Sequence, residues 1–573
     1  MAGSPAQMTP NTPESGMEKR LLLAFALMMF VLFGAQYFFK PAPTPKSAVN
    51  ITPKKAEELT QKPEIATPAR VSTAETGQPL ESVQATVEAT QMIETNLYRV
   101  VVSNRGAVVK SWLLKRFRDA SGKKQLQLVN DSATTLPFPL SIDTKGQQLA
   151  FDPNQVLYKV KESPDHLGFT FEYSDGKAAV RKSIQFGKDS YLSEVRSEVL
   201  QNGVPIDHVL TWRGGFGDQG VRNAASQQHT VHYDATTGKL ITKTAKDAKD
   251  GAFSETGNFT FGGVEDNFFA AVALPLTSNA LEVRTYSDEA KVAGQERPEK
   301  FAGVGFSTGA KNELTIFVGP KDTDLLRKIN PKLEKLIDWG FFGIIAKPLF
   351  LSLNWINDHW TFNYGWAIVV VTLIINILLF PLKISQLKSS KKMQALQPRL
   401  KAINEKYKNV GLSDPRKAQQ NQEVMALYKE AGVNPVGGCL PLLVQLPFLY
   451  AFYRVLAIAI EMRGASWLWV SDLSQPETLA IHILPIILVV SQFVSQRLTP
   501  ATGMDPNQQK IMMMMPLIYG FMFYYMSSGL VLYWLTSNLA MIAQQLLMNR
   551  LVAAPALAPA AVSKAPVKRT VKK

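Results

Sequence analysis

Polar side chains lie inside four of the five strongly apolar segments that close this 573-residue chain. They are Thr372, Asn376, Gln445, Arg454, Ser491, Gln492, Tyr533, Trp534, Ser537, Asn538, Gln544 and Gln545. Residues four apart share one face of a helix, so Thr372 lies beside Asn376 and Tyr533 beside Ser537. Such groups either hydrogen-bond between helices, at about 0.6–2 kcal/mol each, or line a shared polar cavity. The ionisable Arg454 favours the cavity, and hydrogen bonding between helices stays the alternative for each residue.

Motifs for covalent or metal chemistry are weak in this sequence. The motif Gly215-x-Gly217-x-x-Gly220 matches a dinucleotide fingerprint, but no apolar helix follows it, so we interpret it as a loop. His229 and His232 would face opposite sides of a strand, which disfavours a metal pair. We find no P-loop, nucleophile elbow or carboxylate pair in a suitable setting. The sequence therefore predicts a protein that is not an enzyme and needs neither a metal nor another cofactor.

The polar side chains are positioned by apolar segments of about 16–22 residues that are almost free of charge. The first, Leu21–Phe39, is long enough to cross a hydrocarbon core of about 30 Å. It lacks a small-x-small cleavage site, so we interpret it as a retained anchor rather than a secretory signal peptide. The other predicted spans are Trp366–Leu382, Cys439–Ile460, Leu479–Ser495, Ile511–Met526 and Leu530–Met548. The sequence therefore predicts a polytopic α-helical membrane protein with an N-terminal anchor and a five-helix core.

The region between the anchor and the five-helix core is predicted to be a tethered β domain. Residues 40–91 are rich in Pro, Thr, Ala, Lys and Glu, which is typical of a flexible linker. Residues 92–320 show short alternating runs broken by turns, which predict a large antiparallel β-sandwich. Its stability must come from its own core, because the single cysteine, Cys439, excludes internal disulfides. Residues 321–362 are expected to form amphipathic helices on the outer membrane face, with a further span at Trp339–Leu353 as the alternative.

Basic residues determine the predicted orientation in the membrane. The formal net charge is +15, and most of it lies in two segments. Residues 383–437 hold eleven Lys and Arg against four acids, and residues 549–573 hold six with no acid. Segments so rich in Lys and Arg stay cytoplasmic, which places residues 1–20 and the tail inside and the β domain outside. The residues expected to contact anionic lipids or ribosomal RNA are Lys388, Lys391, Lys392, Lys568 and Arg569.

The last 250 or so residues carry a series of motifs whose number and order exclude chance. These motifs are Phe380-Pro381-Leu382, Met393-x-x-Leu396-Gln397-Pro398, Glu423-x-Met425-Ala426-Leu427-Tyr428-Lys429, Asn434-Pro435-Val436-Gly437-Gly438-Cys439-Leu440-Pro441, Gln445-x-Pro447, Asp505-Pro506-x-Gln508-Gln509-Lys510 and Ser528-Gly529-Leu530-Val531-Leu532-Tyr533-Trp534. On these residues the chain resembles the YidC/Oxa family of membrane protein insertases. The anchor, linker and β domain, with Glu265-Asp266-x-Phe268-Phe269, are similar to the Gram-negative form. The resemblance implies a bacterial inner-membrane protein whose β domain is periplasmic.

The resemblance also implies a mechanism. Five helices would form a groove that is open to the cytoplasm and the lipid, into which a nascent membrane protein enters. Burial of its apolar segments, at about 25 cal/mol per Å², would drive insertion without a nucleotide. By the same match, Thr372 and Trp534 are the substrate-contacting positions. The implied partners are nascent membrane proteins, the ribosome, the Sec translocon and anionic phospholipids, with no DNA.

One position departs from the family pattern. Many members place an arginine in the groove where this chain has Asn376, and a neutral amide cannot attract acidic substrate residues. Arg454 would supply the missing charge if it faces the groove. In the alternative, its side chain extends to the outer surface, near Glu461.

Two other functions fit parts of the sequence. A polytopic transporter or channel would also need a polar cavity, but we find neither the internal repeats nor the broken midplane helices typical of transporters. A periplasmic binding or sugar-active module is suggested by the β-sandwich alone.

Overall fold

The structure, a computed structural model, describes residues 81–551 apart from residues 134, 222, 277–279, 292–296, 382–383, 385–391, 394, 409–413, 433–439 and 499–505. The side chains of residues 417, 440–444, 506–512 and 548–551 are also outside the description. Several predictions therefore lie outside the described residues. They concern the anchor Leu21–Phe39, most of the linker 40–91, Lys388, Lys391, and the tail with Lys568 and Arg569.

The β domain contains nineteen short strands within the described part of the chain. They are β1 Thr90–Glu94, β2 Tyr98–Ser103, β3 Val108–Arg118, β4 Gln125–Gln127, β5 Ser141–Asp143, β6 Lys159–Glu162, β7 Gly168–Ser174, β8 Ala178–Phe186, β9 Leu192–Gln201, β10 Val204–Pro205, β11 Val209–Trp212, β12 His229–Asp234, β13 Lys239–Lys243, β14 Phe253–Gly257, β15 Phe259–Glu265, β16 Phe269–Pro275, β17 Leu281–Ala290, β18 Glu299–Ser307 and β19 Lys311–Pro320.

These strands form three antiparallel sheets. The largest has the order β13-β12-β15-β16-β19-β9-β8-β7-β6, with β10 paired to β9. A five-stranded sheet has the order β14-β17-β18-β11-β5, and a four-stranded sheet has the order β1-β2-β3-β4. The first two sheets face each other closely at β15 and β17, where a Cβ on Gly262 would collide with Val283. The predicted fold class, with a large antiparallel β domain, is confirmed.

Alternation of buried and exposed side chains explains why these segments form strands around one core. In β8, Val180 and Ile184 are buried whereas Arg181 is exposed, the period-2 pattern of a strand with one face inward. Lys182 lies on the inward face and is fully buried. Its Nζ donates to the backbone oxygens of Ala107 at 2.9 Å and Leu140 at 2.7 Å. Burial lowers the pKa of Lys182 to about 7.

One short helix lies inside the β domain, and the other helices follow it in the chain. They are α1 Ala224–Gln227, α2 Thr323–Ile329, α3 Gly343–Ile356, α4 Tyr364–Leu378, α5 Gln397–Lys406, α6 Arg416–Glu430, α7 Leu440–Ile458, α8 Ile483–Leu498, α9 Pro506–Tyr524 and α10 Ser528–Leu551. A 3-10 helix, Ile460–Met462, follows α7. The helices α4, α7, α8, α9 and α10 fall on the five apolar segments of the predicted core.

By length and composition, one described helix can cross a membrane unaided, over Ser528–Leu547 of α10. Three shorter apolar helical stretches, Gln445–Ile458, Ile483–Leu498 and Met513–Tyr524, accompany it. The two helical segments Gly343–Thr361 and Tyr364–Leu378 are long and apolar enough to cross a membrane when they are taken as one span, but the chain bends by 115° between them. The bend directs α3 away from the axis of α4, and the position of α3 on the membrane surface stays a prediction. Apolar side chains of α3 are exposed on one side, among them Ile344 and Leu351.

The start of α8 differs from the predicted span, which began at Leu479. The backbone nitrogens of Ile483 and Leu484 donate to the Glu477 carboxylate at 2.7 Å and 2.6 Å. A carboxylate at this position satisfies free amide groups and interacts favourably with the helix dipole. The helix therefore begins at Ile483, after the chain has turned around this carboxylate.

A buried ion pair joins the β domain to the helical region. Arg463, just after the 3-10 helix at the end of α7, pairs with Asp218, and the two side chains are 6% and 3% exposed. The guanidinium also lies over the rings of Phe268 and Phe269, at 5.3 Å and 5.4 Å from their centroids. Asp218 belongs to the predicted loop Gly215–Gly220, which therefore carries an interdomain contact. Gly217 in that loop has a φ of 82°, and a Cβ there would collide with the Asp266 carboxylate.

Candidate functional site

Three of the predicted polar residues meet at one hydroxyl inside the helical region. Ser537 Oγ of α10 accepts from Gln445 Nε2 of α7 at 3.1 Å and from Asn376 Nδ2 of α4 at 3.4 Å. Asn376 and Ser537 are both buried. We call Asn376, Gln445 and Ser537 the polar cluster. It is uncharged, and it connects three helices that come from distant parts of the sequence.

Backbone geometry places Thr372 and Asn376 on the same face of α4, as their spacing predicts. Thr372 Oγ1 donates to the Ile368 oxygen at 2.6 Å, and Asn376 Nδ2 donates to the Thr372 oxygen at 2.8 Å. Both side chains thus turn back onto the preceding helical turn, which satisfies them without water. Thr372 is fully buried.

Two aromatic residues of α10, one turn before Ser537, pack against neighbouring helices. Tyr533 stacks on Phe452 of α7 at 4.1 Å between ring centroids. Trp534 packs against Phe523 of α9 at 5.3 Å and against Tyr519 at 6.1 Å. Both residues are almost fully buried, so they hold α10 against α7 and α9.

The structure does not bring Arg454 to the polar cluster. Its Nε donates to the Asp338 oxygen at 2.7 Å, and its Nη2 lies 2.6 Å from Asp338 Oδ2. Nine residues separate it from Gln445 on α7, which corresponds to about 13 Å along the helix. These contacts correct the expectation that Arg454 supplies a cation to the groove. They fit the alternative, in which a long side chain reaches the outer surface, with Asp338 rather than Glu461 as its partner.

Gln544, on the predicted face of α10 about two turns after Ser537, also reaches the polar cluster. Its Nε2 donates to the Asn376 oxygen at 3.3 Å, and its buried Oε1 has no hydrogen-bond partner within the described residues. The seven-residue spacing from Ser537 to Gln544 already placed both residues on one face of α10. A second set of polar contacts holds α10 to α8, with Asn538 Nδ2 2.7 Å from Ser491 Oγ. Hydrogen bonding between helices is thus one role that these residues do have.

Within the basic segment 383–437, α5 and α6 pack against each other as a helical hairpin. Leu396 and Leu400 pack against Leu427 in a small buried cluster. Lys406 pairs with Glu423 at 2.6 Å across the hairpin. Lys392, the one residue of its predicted basic group that the structure describes, is exposed.

A metal centre has no support in the part of the chain that the structure describes, where no three His, Cys, Asp or Glu side chains come together suitably. His232 is buried in β12, with its ring 4.2 Å from that of Phe259.

Comparisons with known proteins agree over nearly the whole chain. Residues 355–555 match a family described as 60Kd inner membrane protein, and residues 90–352 match the YidC periplasmic domain. The membrane protein insertase YidC of Geotalea daltonii is 30% identical over 557 residues, covering 93% of this chain and 99% of that protein. The corresponding protein of Pelobacter propionicus is 32% identical, covering 94% of this chain and all of that protein. A crystal structure of an active YidC insertase is 20% identical with a TM-score of 0.35, covering 82% of this chain and 94% of that chain.

A periplasmic antiparallel β domain followed by a helical core defines a class of inner-membrane protein whose activity is insertion rather than enzymatic turnover. The chain belongs to the YidC family of membrane protein insertases. The resemblance drawn from the sequence motifs is confirmed, and nascent membrane proteins are the substrates that the family implies.

Proposed function

We propose that this insertase receives a nascent membrane protein at the polar cluster of Asn376, Gln445 and Ser537. The observation that carries the proposal is the meeting of three uncharged polar side chains from α4, α7 and α10 inside an apolar helical core. Hydrogen bonds of this kind are worth about 1 kcal/mol or less on average in membranes. A client segment with its own polar groups can therefore exchange with them at little net cost.

Exchange of hydrogen bonds allows the polar part of the client to enter the site, and the hydrophobic effect drives its apolar part into the lipid. A polar group without a partner in hydrocarbon costs several kcal/mol, so a site that offers donors and acceptors lowers the barrier to its entry. Thr372, one turn before Asn376 on α4, and Trp534, one turn before Ser537 on α10, are the proposed contacts with the client. Transfer of the apolar client segment into lipid then supplies about 25 cal/mol for each Å² removed from water.

The polar cluster carries no charge, and this determines which client segments the site can recognise. Because its side chains are amides and a hydroxyl, it offers hydrogen bonds to any polar client segment and no full charge to an acidic one. We therefore propose that this chain discriminates little between acidic and neutral outer segments. Arg454 has no part in this proposal, since its guanidinium is engaged by Asp338.

Reconstitution of the full chain in lipid vesicles tests the proposed function. A stalled nascent client should become protected from protease in vesicles that contain the protein, without nucleotide and without the Sec translocon. Vesicles with the triple variant Asn376→Leu/Gln445→Leu/Ser537→Ala should protect far less. Client-independent ion flux together with no protection would favour the channel alternative instead.

The proposed topology has both termini in the cytoplasm and the β domain in the periplasm. Its support is the concentration of Lys and Arg in residues 383–437 and 549–573. In a Cys439→Ser background, an impermeant thiol reagent should label Ser163→Cys from outside spheroplasts and should not label Ser413→Cys. Labelling of Ser413→Cys from outside would show that the proposed orientation is wrong.

The ribosome, anionic phospholipids and the Sec translocon are the proposed partners. The basic tail and the segment containing Lys388, Lys391 and Lys392 carry charge that suits ribosomal RNA or anionic headgroups. Deleting residues 551–573 and neutralising these lysines should weaken ribosome binding and flatten its salt dependence. Equal binding at low salt would exclude this electrostatic role.

A further inference from the structure

The hairpin between β3 and β4 presents four exposed basic side chains around its tip. They are Arg116, Arg118, Lys123 and Lys124. Arg116 and Arg118 lie on the outward face of β3, and the intervening Phe117 packs edge-on against Phe269, with ring centroids 5.2 Å apart. Within the described residues, none of these four cations forms an ion pair. The hairpin therefore carries a concentrated positive charge that the protein itself does not neutralise.

The single acid of the turn does not balance this charge. Asp119 Oδ1 accepts from Ser121 Oγ at 2.6 Å and from the Lys124 backbone nitrogen at 3.3 Å. The carboxylate shapes the turn and offsets one of the four positive charges, so the tip keeps a net charge of +3. Arg118 Nη1 donates to the Gly122 oxygen at 3.3 Å, which keeps its guanidinium over the tip.

The hairpin is fixed to the outer end of α7. Arg463 Nη2 donates to the Arg118 backbone oxygen at 2.9 Å, and the same guanidinium forms the buried pair with Asp218. Arg463 follows directly after the 3-10 helix Ile460–Met462, which continues from α7. The basic tip is therefore held where this core helix leaves the membrane.

Tryptophans mark the membrane boundary at the same place. Trp467 and Trp469 follow Arg463 by four and six residues, and Trp467 packs on Trp366 at the start of α4, 5.5 Å between centroids. Tryptophan is enriched where hydrocarbon meets water. Four residues of chain span at most about 14 Å. The headgroup layer adds about 5–8 Å to each face of the bilayer, and the Debye length is about 8 Å, so the tip lies within reach of the headgroups.

We propose that the β3–β4 hairpin binds anionic phospholipid headgroups of the outer leaflet and so orients the β domain on the membrane. A charged surface fits this hairpin better than an acidic peptide does, because the four cations spread around a convex tip and do not converge on one pocket. The inference rests on the proposed topology. Each basic residue near an anionic surface strengthens the contact roughly fivefold.

The test uses the full chain in nanodiscs, with a fluorescent probe on Ser121→Cys in a Cys439→Ser background. The readout is quenching of the probe by phosphatidylcholine that carries a spin label on its headgroup. Replacing about a third of the phosphatidylcholine with phosphatidylglycerol should increase quenching severalfold at low salt, and about 0.5 M salt should abolish the increase. Lys123→Gln/Lys124→Gln should remove most of the increase in quenching that phosphatidylglycerol causes.

The matched control removes two positive charges from the far edge of the largest sheet. Lys159 and Lys161 are exposed on β6, five strand spacings from β16, or about 24 Å. Lys159→Gln/Lys161→Gln should leave the phosphatidylglycerol response unchanged. Equal quenching with and without phosphatidylglycerol, or an equal loss in both double variants, would overturn the proposal.

Three further outcomes separate the possible failures. If soluble polyglutamate changes the probe signal and phosphatidylglycerol does not, the hairpin binds acidic peptide and the lipid assignment is wrong. If Ser163→Cys is labelled from outside but phosphatidylglycerol has no effect, the topology stands and the lipid inference alone fails. If Ser163→Cys cannot be labelled from outside, the topology on which the inference rests is wrong.

Discussion

Asn376 of α4 and Ser537 of α10 lie 3.4 Å apart from Nδ2 to Oγ, although 161 residues separate them in the sequence. Ser537 also accepts from Gln445, so one hydroxyl serves three helices. This arrangement brings polar groups of α4, α7 and α10 together at one hydroxyl. It makes Ser537 the residue whose loss changes the cluster most.

Ser537→Ala should weaken insertion of clients that have polar outer segments. The substitution removes the acceptor of both Asn376 and Gln445, at about 0.6–2 kcal/mol for each hydrogen bond. Ser491→Ala is the matched control, because it removes one interhelical partner of Asn538 away from the cluster. Both variants should lower the thermal midpoint, and only Ser537→Ala should lower insertion severalfold. Equal insertion by the two variants would mean that the cluster is only structural.

Arg454→Ala should have little effect on insertion, whatever the charge of the client. The guanidinium pairs with Asp338, whose side chain is 71% exposed, and such surface pairs contribute about 0–1 kcal/mol. The test is the cycle of Arg454→Ala and Asn376→Arg, assayed with one acidic and one neutral client. Additive effects are expected, since the two positions do not share a cavity. A strong coupling seen only with the acidic client would return Arg454 to the groove.

Breaking the Arg463–Asp218 pair should loosen the β domain from the core. Removing one partner of a buried pair typically costs about 3–5 kcal/mol, because the remaining charge is left without a partner. Arg463→Leu should therefore broaden the distance distribution between spin labels on Ser163→Cys and Leu468→Cys in a Cys439→Ser background. Arg463→Leu/Asp218→Leu should restore part of the order, since no buried charge then remains. An unchanged distribution in Arg463→Leu would show that the pair does not hold the two parts together.

Stability of the β domain should rise from pH 7 to pH 9 because of Lys182. Burial lowers its pKa in the folded protein to about 7, whereas in the unfolded chain it stays near 10.4. Between these values the unfolded chain binds more protons, so the free energy of unfolding increases with pH, by about 2 kcal/mol over this interval. Thermal unfolding of the wild type and of Lys182→Met at several pH values measures this contribution to the free energy of unfolding. The difference between their midpoints should change with pH, and a constant difference would mean that Lys182 titrates normally.

The helical and strand periodicities of the sequence predict much of the fold and part of the candidate site. The spacing of Thr372 and Asn376 predicts their shared face on α4, and the short alternating runs of residues 92–320 predict the β domain. Periodicity relates residues within one helix, so it also predicts that Ser537 and Gln544 lie on one face of α10. The apolar segments predicted the five core helices because charge is excluded from them over nearly their full length.

Contacts between distant residues could not be derived in this way. Arg454 meets Asp338 across 116 residues, and Arg463 meets Asp218 across 245 residues. The first pairing depends on how the segment between the β domain and α3 packs against α7, and the second on how the β domain packs beside the end of α7, which no local pattern encodes. The same limit applies to the loop Gly215–Gly220, whose glycines suggested a nucleotide motif. Its tight backbone instead makes room for Asp266 and presents Asp218 to Arg463.

The most direct measurement is photocrosslinking of a stalled nascent membrane protein to probes placed in the helical core. Thr372 and Trp534 lie one turn before Asn376 and Ser537 of the polar cluster. Leu373 and Leu539 occupy exposed positions on α4 and α10 and serve as controls. The account predicts strong crosslinks from Thr372 and Trp534 and weak ones from Leu373 and Leu539. Crosslinks of equal strength at all four positions, or stronger ones at the two controls, would contradict entry of the client at the polar cluster.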